Sequence, residues 1–404
     1  MLDWTTQFSH RTARMQASEI RELLKLLDDP NVLSFAGGIP DPELFPADAF
    51  RRAYREVLSD DGCDQALQYS VSEGFAPLRR WIVGYMATVG IECSLDNIMI
   101  TSGSQQALDY LGKLFLSPGD TALVGWPTYL GALQAFNAYE PSYDRLEPFG
   151  NQSTEALQAQ AKAKGGAVKF AYTTPDFANP TGETLSLEAR ARILDQAEAL
   201  DCLVIEDAAY QALRFKGKSI DPILKLDIER SGNIDATRTV YCGSFSKTLS
   251  PGLRLGWVVA AKPVVQRLVL IKQAADLNTS AINQMVMTKV AEAVFTDQVV
   301  RVRASYAHRL SCLLTALEAH MPSGVSWNEP EGGMFVWVRL PESMDAQALL
   351  KEAIETIQVA FVPGHAFFAD GTGRNYLRLN FSLPKPAQIE EGMKRLGGLI
   401  ASKL

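Results

Sequence analysis

The chain has 404 residues, of which 47% are hydrophobic and 21% charged, proportions typical of a folded globular protein large enough for two domains. Lys and Arg total 39 against 46 Asp and Glu, and the net charge of −7 disfavours binding to nucleic acid or to an anionic membrane. No stretch approaches the roughly 20 apolar residues that span a bilayer, and the first residues do not resemble a secretion signal.

The number and spacing of the cysteines and histidines argue against disulfide bonds and metal sites. The five cysteines are odd in number and contain no CxxC pair, which favours reduced thiols in the cytoplasm over a disulfide framework or a zinc site. Only four histidines occur, and no HExxH helix is present. We therefore expect a cytoplasmic protein without a metal site.

Apolar runs alternate with segments of helical periodicity through the middle of the chain. Strands are predicted at 97–101, 121–126, 168–174, 202–207, 239–244 and 256–261. The segment at 185–200 has apolar residues at helical spacing. Continuous apolar strands separated by helices predict an α/β fold, with a mostly parallel sheet covered by helices on both faces.

The pattern changes after about residue 300. A long helical segment at 299–321 leads to strands within 327–340, 359–364 and 376–382, and then to a last helix at 386–403. Strands with helices to one side predict a smaller α+β domain. We divide the chain into an N-terminal arm that packs with the small domain (1–45), a large domain (46–298) and the small domain (299–404).

Polar residues follow several of the predicted strands, where ligands bind in open α/β sheets. Ser102, Gly103, Ser104 and Gln105 open a helix after NIMIT, which suits a phosphate, although a serine there is also an ordinary helix cap. Asp207 ends the strand CLVIED, with Tyr210 three residues on. A helix N-cap explains that acid equally well, and the turn PDFANPTG around Asn179 needs no function.

A lysine occupies an unusual position in SFSKTLSPGLR, which runs from Ser244 to Arg254 and follows a buried strand. Lysine is costly there unless its amine is neutral, paired or covalently used. Lys247 and the threonine after it do not form an NTPase phosphate loop, because Ser246 stands where that motif needs glycine.

Together these strand ends offer a phosphate cradle, a carboxylate, hydrogen-bonding Asn and Tyr side chains, and a lysine. A phosphorylated pyridine aldehyde needs such a set. The lysine forms a Schiff base, the carboxylate keeps the ring nitrogen protonated, and the anion-binding groups hold the phosphate.

The sequence resembles the fold-type I aminotransferases of class I/II, which use pyridoxal 5'-phosphate, and most closely the branch of 2-aminoadipate and broad-specificity aminotransferases. The motifs that carry the resemblance occur in the family's order over nearly the whole chain: LSFAGGIPDPELFP, LQYSVSEG, TSGSQQALD, WPTY, PDFANPTG, EDAAY, GSFSKTLSPGLRLGW, PEGGMFVWV and YLRLNF. The resemblance implies a large domain with a seven-stranded sheet, a small domain and a homodimer.

The resemblance also implies roles for individual residues. Lys247 would form the Schiff base, Asp207 would pair with the ring nitrogen, and Tyr129 would stack on the ring. Asn179 and Tyr210 would bind its phenolic oxygen. The phosphate would be held by six residues, of which Tyr69 would come from the other subunit: Gly103, Ser104, Gln105, Ser244, Arg254 and Tyr69. Ser246 would also bind the cofactor.

The substrate would be held by its α-carboxylate. The resemblance implies that Arg378 clamps this group, helped by Asn179 and the backbone at Gly38. Purely structural roles remain open for three of these residues. Tyr129 and Tyr69 are also typical core aromatics, and Arg378 is also a typical structural ion-pair partner. Arg21 in ASEIRELLKLL is a candidate for binding a side-chain carboxylate, or a solvated arginine paired with a neighbouring glutamate.

The implied reaction is ping-pong transamination between an L-amino acid and a 2-oxo acid, such as 2-oxoglutarate or pyruvate, with Lys247 also moving the proton. A β-lyase reaction is an alternative. A second alternative is a transcription regulator that binds pyridoxal 5'-phosphate, but such regulators carry a helix-turn-helix domain before this fold. FAGGIP begins by residue 35 here, which leaves no space for one.

Overall fold

The computed structural model describes residues 2–15, 31–59, 62–150 and 152–404. Arg21 lies outside the described residues. The described strands, in chain order, are β1 Leu33–Ser34, β2 Ile98–Thr101, β3 Thr121–Val124, β4 Ser142–Arg145, β5 Val168–Thr173, β6 Leu203–Asp207, β7 Thr239–Ser244, β8 Gly256–Val259, β9 Ser326–Trp327, β10 Phe335–Arg339, β11 Val359–Ala360, β12 Val362–Pro363 and β13 Tyr376–Asn380.

The described α-helices lie between these strands in the chain, except the last one, which follows β13. They are α1 Ala47–Val57, α2 Cys63–Leu67, α3 Ala76–Thr88, α4 Ser104–Phe115, α5 Leu130–Asn137, α6 Thr154–Ala163, α7 Leu187–Ala199, α8 Ile223–Ser231, α9 Lys262–Ala275, α10 Ala281–His320, α11 Ala346–Glu352 and α12 Pro386–Ala401. None of the helices in the described ranges is both long and apolar enough to cross a membrane.

The large domain is built on a seven-stranded sheet with the order β2-β8-β7-β6-β5-β3-β4. Strand β8 is antiparallel to both of its neighbours, and the other adjacent pairs are parallel. The predicted α/β fold with a mostly parallel, seven-stranded sheet is therefore confirmed. Parallel strands place their carboxyl ends at one edge, which brings the residues after β5, β6 and β7 together.

Helices cover both faces of this sheet, as the continuous apolar strands predict. Alternate residues of a strand point to opposite faces. One face contributes to an apolar cluster with α1, α3 and α10 through Ile98, Ile100, Tyr241, Trp257 and Val259. The opposite face contributes to a cluster with α4, α5 and α9 through Met99, Val240, Cys242 and Val258.

The small domain contains a four-stranded antiparallel sheet with the order β12-β13-β10-β9. The N-terminal segment packs with the small domain. Strand β1 pairs in parallel with β11 in a separate two-stranded sheet, and the Phe35 carbonyl accepts from the Asn380 backbone amide at 2.8 Å. The Phe35 ring is fully buried against α12, where an added Cβ at Gly392 would lie 2.4 Å from it. Residues 36–38 therefore lie between the two domains.

One helix links the domains. Helix α10 starts at Ala281 rather than near residue 299, and it packs against α1 of the large domain and α12 of the small domain. Buried polar side chains in its first half hide the helical periodicity in the sequence. Gln284, for example, is fully buried, accepts from the Phe75 amide and donates to the Thr279 carbonyl. The predicted domain boundary at 298 falls inside this helix and stays a prediction.

Candidate active site

A cavity of about 1510 Å³ lies beyond the carboxyl ends of the parallel strands, between the two domains. It brings together most of the residues that the sequence analysis selected: Gly38, Ser104, Gln105, Tyr129, Asn179, Asp207, Tyr210, Ser244, Ser246, Lys247, Arg254 and Arg378. These residues come from separate segments of the chain, so the sheet assembles one site from them.

The turn between β2 and α4 forms one wall of the cavity. Gly103 is the N-cap of α4 and has a φ of +81°, a left-handed conformation that favours glycine. A Cβ at Gly103 would lie 2.5 Å from Arg254 Nη2, so only glycine lets the guanidinium approach the turn this closely. Helix N-terminal N–H groups and guanidinium groups are both common phosphate ligands in proteins.

Two serines at the end of β7 also line the cavity: Ser244 is the last residue of the strand, and Ser246 follows it. The Ser246 amide donates to Ser244 Oγ at 3.1 Å, and both serines are buried at the cavity surface. The Arg254 guanidinium donates to the Pro251 carbonyl at 3.2 Å and forms no ion pair with a carboxylate among the described residues. The wall thus carries positive charge and hydroxyl groups without an internal counter-anion.

Asp207 lies at the carboxyl end of β6 and is almost completely buried. Its Oδ2 accepts from the Tyr172 hydroxyl at 2.9 Å, whereas Oδ1 is buried and has no hydrogen-bond partner in the described chain. Burial raises the pKa of Asp207 to about 6, against the opposing effects of the Tyr172 hydroxyl, the Ala209 backbone N–H and the positive charge of Lys247. Since an unpaired buried carboxylate oxygen is costly, this atom calls for a cationic or N–H partner.

Lys247 faces Asp207 from the segment after β7. Its Nζ donates to the Gly38 carbonyl at 2.9 Å and lies 5.9 Å from the centre of the Tyr210 ring. Burial, together with the positive charges of Arg378 and Arg254, lowers the pKa of Lys247 to about 8. A lowered pKa gives a larger fraction of neutral amine, which is the nucleophilic and proton-accepting form.

Arg378 projects from β13 into the opposite end of the cavity and is fully buried. Nη1 donates to Asn179 Oδ1 and Nη2 donates to the Ala36 carbonyl, each at 2.6 Å. The guanidinium lies 4.3 Å from the Phe335 ring centre and 5.1 Å from that of Phe367. Burial lowers the pKa of Arg378 to about 10, so it stays charged at neutral pH.

Arg378 has no carboxylate partner among the residues that the structure describes. Its acceptors are an amide oxygen and a backbone carbonyl, and its Nε is buried without an acceptor. The structural ion pair considered from the sequence is therefore not formed within the described chain. A buried guanidinium with neutral neighbours is suited to binding a carboxylate ligand.

Two of the tyrosines that line the cavity, Tyr129 and Tyr210, were selected from the sequence. The Tyr129 ring precedes α5, and its hydroxyl lies 3.5 Å from Gln105 Oε1. Burial raises the pKa of Tyr210 above its ordinary value, which keeps its hydroxyl protonated and able to donate. An added Cβ at Gly131 would lie 2.4 Å from the Tyr129 ring, so glycine there leaves space for this ring.

The comparisons with known proteins cover almost the whole chain. The model of the family described as aminotransferase class I and II matches residues 32–396. The aromatic-amino-acid aminotransferase 1 of Thermococcus litoralis is 41% identical over 409 residues, which cover 100% of this chain and 96% of that protein. The chain belongs to the class I and II aminotransferases.

Two solved structures of aminotransferases have the same fold. The kynurenine aminotransferase of Pyrococcus horikoshii in complex with PMP has a TM-score of 0.90 and 41% identity, covering 100% of this chain and 98% of that one. The α-aminoadipate aminotransferase of Thermus thermophilus, complexed with N-(5'-phosphopyridoxyl)-L-leucine, has a TM-score of 0.88 and 39% identity, covering 99% of each chain. The resemblance to fold-type I aminotransferases is confirmed, and pyridoxal 5'-phosphate is the cofactor.

The residues of the aminotransferase cavity fit this cofactor. The unpaired oxygen of Asp207 suits a protonated ring nitrogen. The positive wall at Gly103 and Arg254 suits the phosphate, and the Lys247 amine suits the aldehyde.

Three of the predicted site residues do not line the cavity, and one of them, Gly103, lies next to the lining residue Ser104. Tyr69 is 79% exposed and does not line it. Within a single chain, this residue therefore has no role in the site. Arg21 lies outside the described residues, and the structure gives no position for its side chain.

The sequence analysis missed three side chains that surround the charged groups. Tyr172 donates to Asp207, and Phe335 and Phe367 enclose the Arg378 guanidinium. Tyr172 lies in a strand that was predicted, two positions before its end. The parallel register pairs it with Ile205, two residues before Asp207, and this pairing is the signal that could have identified it.

Proposed function

We propose that this aminotransferase moves an amino group between an L-amino acid and a 2-oxo acid by a ping-pong reaction, and that Lys247 holds the cofactor covalently. The observation that carries the proposal is that one cavity contains Lys247, the Asp207 carboxylate with its unbonded Oδ1, and the Arg378 guanidinium, which has no carboxylate partner in the described chain. This arrangement provides a nucleophilic amine, a partner for a cationic ring and a partner for a carboxylate in one cavity.

Bound pyridoxal 5'-phosphate supplies an aldehyde that condenses with amines and a protonated ring that withdraws electrons from the substrate's α-carbon. Asp207 serves this chemistry by accepting a hydrogen bond from the ring nitrogen at its unpaired Oδ1, which favours the protonated ring. Tyr172 fixes the other oxygen and so orients the carboxylate.

Lys247 has two roles in the proposed reaction. Its neutral Nζ would bond to the cofactor aldehyde with loss of water. Once released by a substrate amine, the same Nζ would accept the substrate's α-proton and return it at the cofactor carbon. The lowered pKa, about 8, places this amine near the pH at which it both accepts and returns a proton.

The other cavity residues bind and orient the ligands. The turn at Gly103 to Gln105, with Ser244, Ser246 and Arg254, would hold the phosphate. Asn179 and Tyr210 would bind the phenolic oxygen, and Tyr129 would stack on the ring. Arg378 would bind the substrate α-carboxylate with both terminal nitrogens, helped by Asn179 and by the backbone at Gly38.

The substrate class follows from the relatives by analogy only. Relatives are named for aromatic amino acids, kynurenine and 2-aminoadipate, so we propose L-amino acids with a large or acidic side chain as amino donors, and 2-oxoglutarate or pyruvate as acceptor. Arg21 is the proposed partner of a side-chain carboxylate.

A panel of half-reactions tests this function. Single amino acids are added to the holoenzyme without any oxo acid, and the change of cofactor absorbance is followed. Transamination predicts one conversion per site, with the matching 2-oxo acid as product. Continuous product formation without an acceptor would instead show a β-lyase, and no conversion by any amino acid would contradict the proposal. In the same panel, Arg21→Ala should weaken glutamate and 2-aminoadipate about tenfold or more and leave leucine unchanged.

We also propose a homodimer in which Tyr69 reaches the phosphate of the partner's site. Leu67, Tyr69 and Val71 are all more than half exposed, which is unusual for neighbouring apolar side chains. Mixing Tyr69→Phe subunits with Lys247→Ala subunits tests this idea. Shared sites predict one recovered site per heterodimer, whereas no recovery in well-mixed heterodimers contradicts sharing.

A cytoplasmic location remains part of the proposal. The five cysteines are all unpaired in the structure, which fits a reducing compartment.

A further inference from the structure

A charged cluster that does not line the cavity lies beside the turn at Ser102–Gln105. The Lys272 side chain, on α9, is fully buried, and its Nζ donates to both Asp276 oxygens at 2.9 and 3.0 Å. The same Nζ donates to Gln106 Oε1 at 3.0 Å. The proposed reaction uses none of these three side chains.

The cluster is connected to the turn by hydrogen bonds. Gln106 Oε1 accepts from the Ser102 backbone amide at 2.9 Å, and Gln106 Nε2 donates to Asp276 Oδ2 at 2.7 Å. The Ser102 hydroxyl donates to the same carboxylate oxygen at 3.3 Å, and the Tyr110 hydroxyl donates to Oδ1 at 3.3 Å. Lys272 and Asp276 thus hold Gln106, and Gln106 holds the backbone of the turn.

Hydrogen bonds between neutral groups hold the other sides of the turn. The Thr101 hydroxyl donates to the Gly103 carbonyl at 2.9 Å, and Gln105 Nε2 donates to the Gly131 carbonyl at 2.6 Å. An added Cβ at Gly256 of β8 would lie 2.8 Å from the Ser104 nitrogen, which shows close packing there. On the side of α9 the hydrogen bonds involve the charged groups of Lys272 and Asp276, and such bonds are stronger than neutral ones.

We propose that Lys272, Asp276 and Gln106 are positioning residues that hold the Ser102–Gln105 turn in the conformation that binds the cofactor phosphate. This inference rests on the proposed role of the turn as the phosphate site. Backbone N–H groups bind a phosphate well only when they converge on it, because binding energy is lost in ordering a loose turn. The network therefore sets the affinity for the phosphorylated cofactor and leaves the contacts of the ring unchanged.

The test compares pyridoxal 5'-phosphate with pyridoxal, which lacks the phosphate. The full-length chain, freed of cofactor, is titrated with each compound, and the ratio of the two dissociation constants is measured. We expect Lys272→Met to reduce the preference for the phosphorylated compound about tenfold, and Gln106→Met about threefold, as for the loss of one or two charged hydrogen bonds. Affinity for pyridoxal should change less than about twofold in both variants.

Two reference variants make the result decisive. Lys225→Met removes an ion pair between this residue of α8 and Asp221, four positions earlier and just before the helix, and it should leave the ratio unchanged. Arg254→Gln removes a proposed phosphate ligand. If it lowers the preference while Lys272→Met and Gln106→Met do not, the inference is wrong and the phosphate site stands.

Two further outcomes would overturn the inference. Equal weakening of both compounds in Lys272→Met and Gln106→Met shows a general structural role and overturns the inference. If Lys272→Met, Gln106→Met and Arg254→Gln all leave the ratio unchanged, the turn is not the phosphate site, and both proposals fail. Should Lys272→Met lose its circular dichroism spectrum, the result for the milder Gln106→Met decides alone.

Discussion

Asp207, at the end of a large-domain strand, and Arg378, in the small-domain sheet, are both buried and both lack a partner of opposite charge within the described chain at ion-pair distance. Their surroundings differ. Asp207 Oδ2 accepts a hydrogen bond from Tyr172, Oδ1 accepts none in the described chain, and burial raises the pKa of Asp207 to about 6. Arg378 has both terminal nitrogens bonded and two aromatic rings beside it, and it remains charged.

The difference follows from the chemistry of the two groups. A guanidinium hardly deprotonates, so neutral acceptors and ring faces are enough to keep it charged while it is without a ligand. A buried carboxylate becomes neutral near pH 6 and needs a cation to stay ionised at lower pH. Below about pH 6, Asp207 therefore needs a cationic ligand to stay ionised, whereas Arg378 stays charged without a ligand.

The largest expected effect comes from the large-domain end. Asp207→Asn should keep the fold and lower kcat by about 10³-fold or more, because a neutral amide cannot keep the ring nitrogen protonated. The neighbouring Glu206→Gln is the matched control, since Glu206 is buried, accepts from the Ile223 and Leu224 amides and does not line the cavity. Near-normal turnover in Asp207→Asn would show that the acid is only a structural cap.

A smaller effect is expected at the other end. Arg378→Lys should lower kcat/KM for amino acids about 10²-fold, because an ammonium cannot bind a carboxylate with two parallel hydrogen bonds. The half-reaction with a simple amine that lacks a carboxylate should change less than about threefold, since Arg378 then has no partner to lose. An equal loss with both substrates would contradict the assignment of Arg378 to the carboxylate.

The smallest effect concerns pH. The Tyr172 hydroxyl favours the charged form of Asp207, so Tyr172→Phe should raise the pKa of that carboxyl further above its usual value. Activity that needs the carboxylate is present above this pKa and lost below it. The acid limb of the pH profile of kcat/KM should therefore move to higher pH by about half a unit to one unit.

The matched control for this pH shift is Tyr143→Phe. The Tyr143 hydroxyl bonds to Asn137 in the same cavity, away from Asp207, so the acid limb of this variant should not move. A shift of the limb to lower pH in Tyr172→Phe would contradict the account.

The sequence predicts the large-domain end of the site well because its residues follow strands at short, regular intervals. The residues around Arg378 are harder to predict, since its partners Asn179 and Ala36 are 199 and 342 positions away in the chain. Phe335 and Phe367 approach Arg378 only after the small-domain sheet forms. The start of α10 was placed too late because buried polar side chains interrupt its apolar pattern.

The central claim is that Lys247 is the covalent anchor between these two ends. It is tested most directly by reducing the holoenzyme with borohydride, digesting it and mapping the cofactor adduct by mass spectrometry. The account predicts a single modified peptide with the adduct on Lys247, and its loss in Lys247→Ala, with Lys272 unmodified in both. An adduct on another lysine of the native enzyme, or an unchanged adduct in Lys247→Ala, would contradict it.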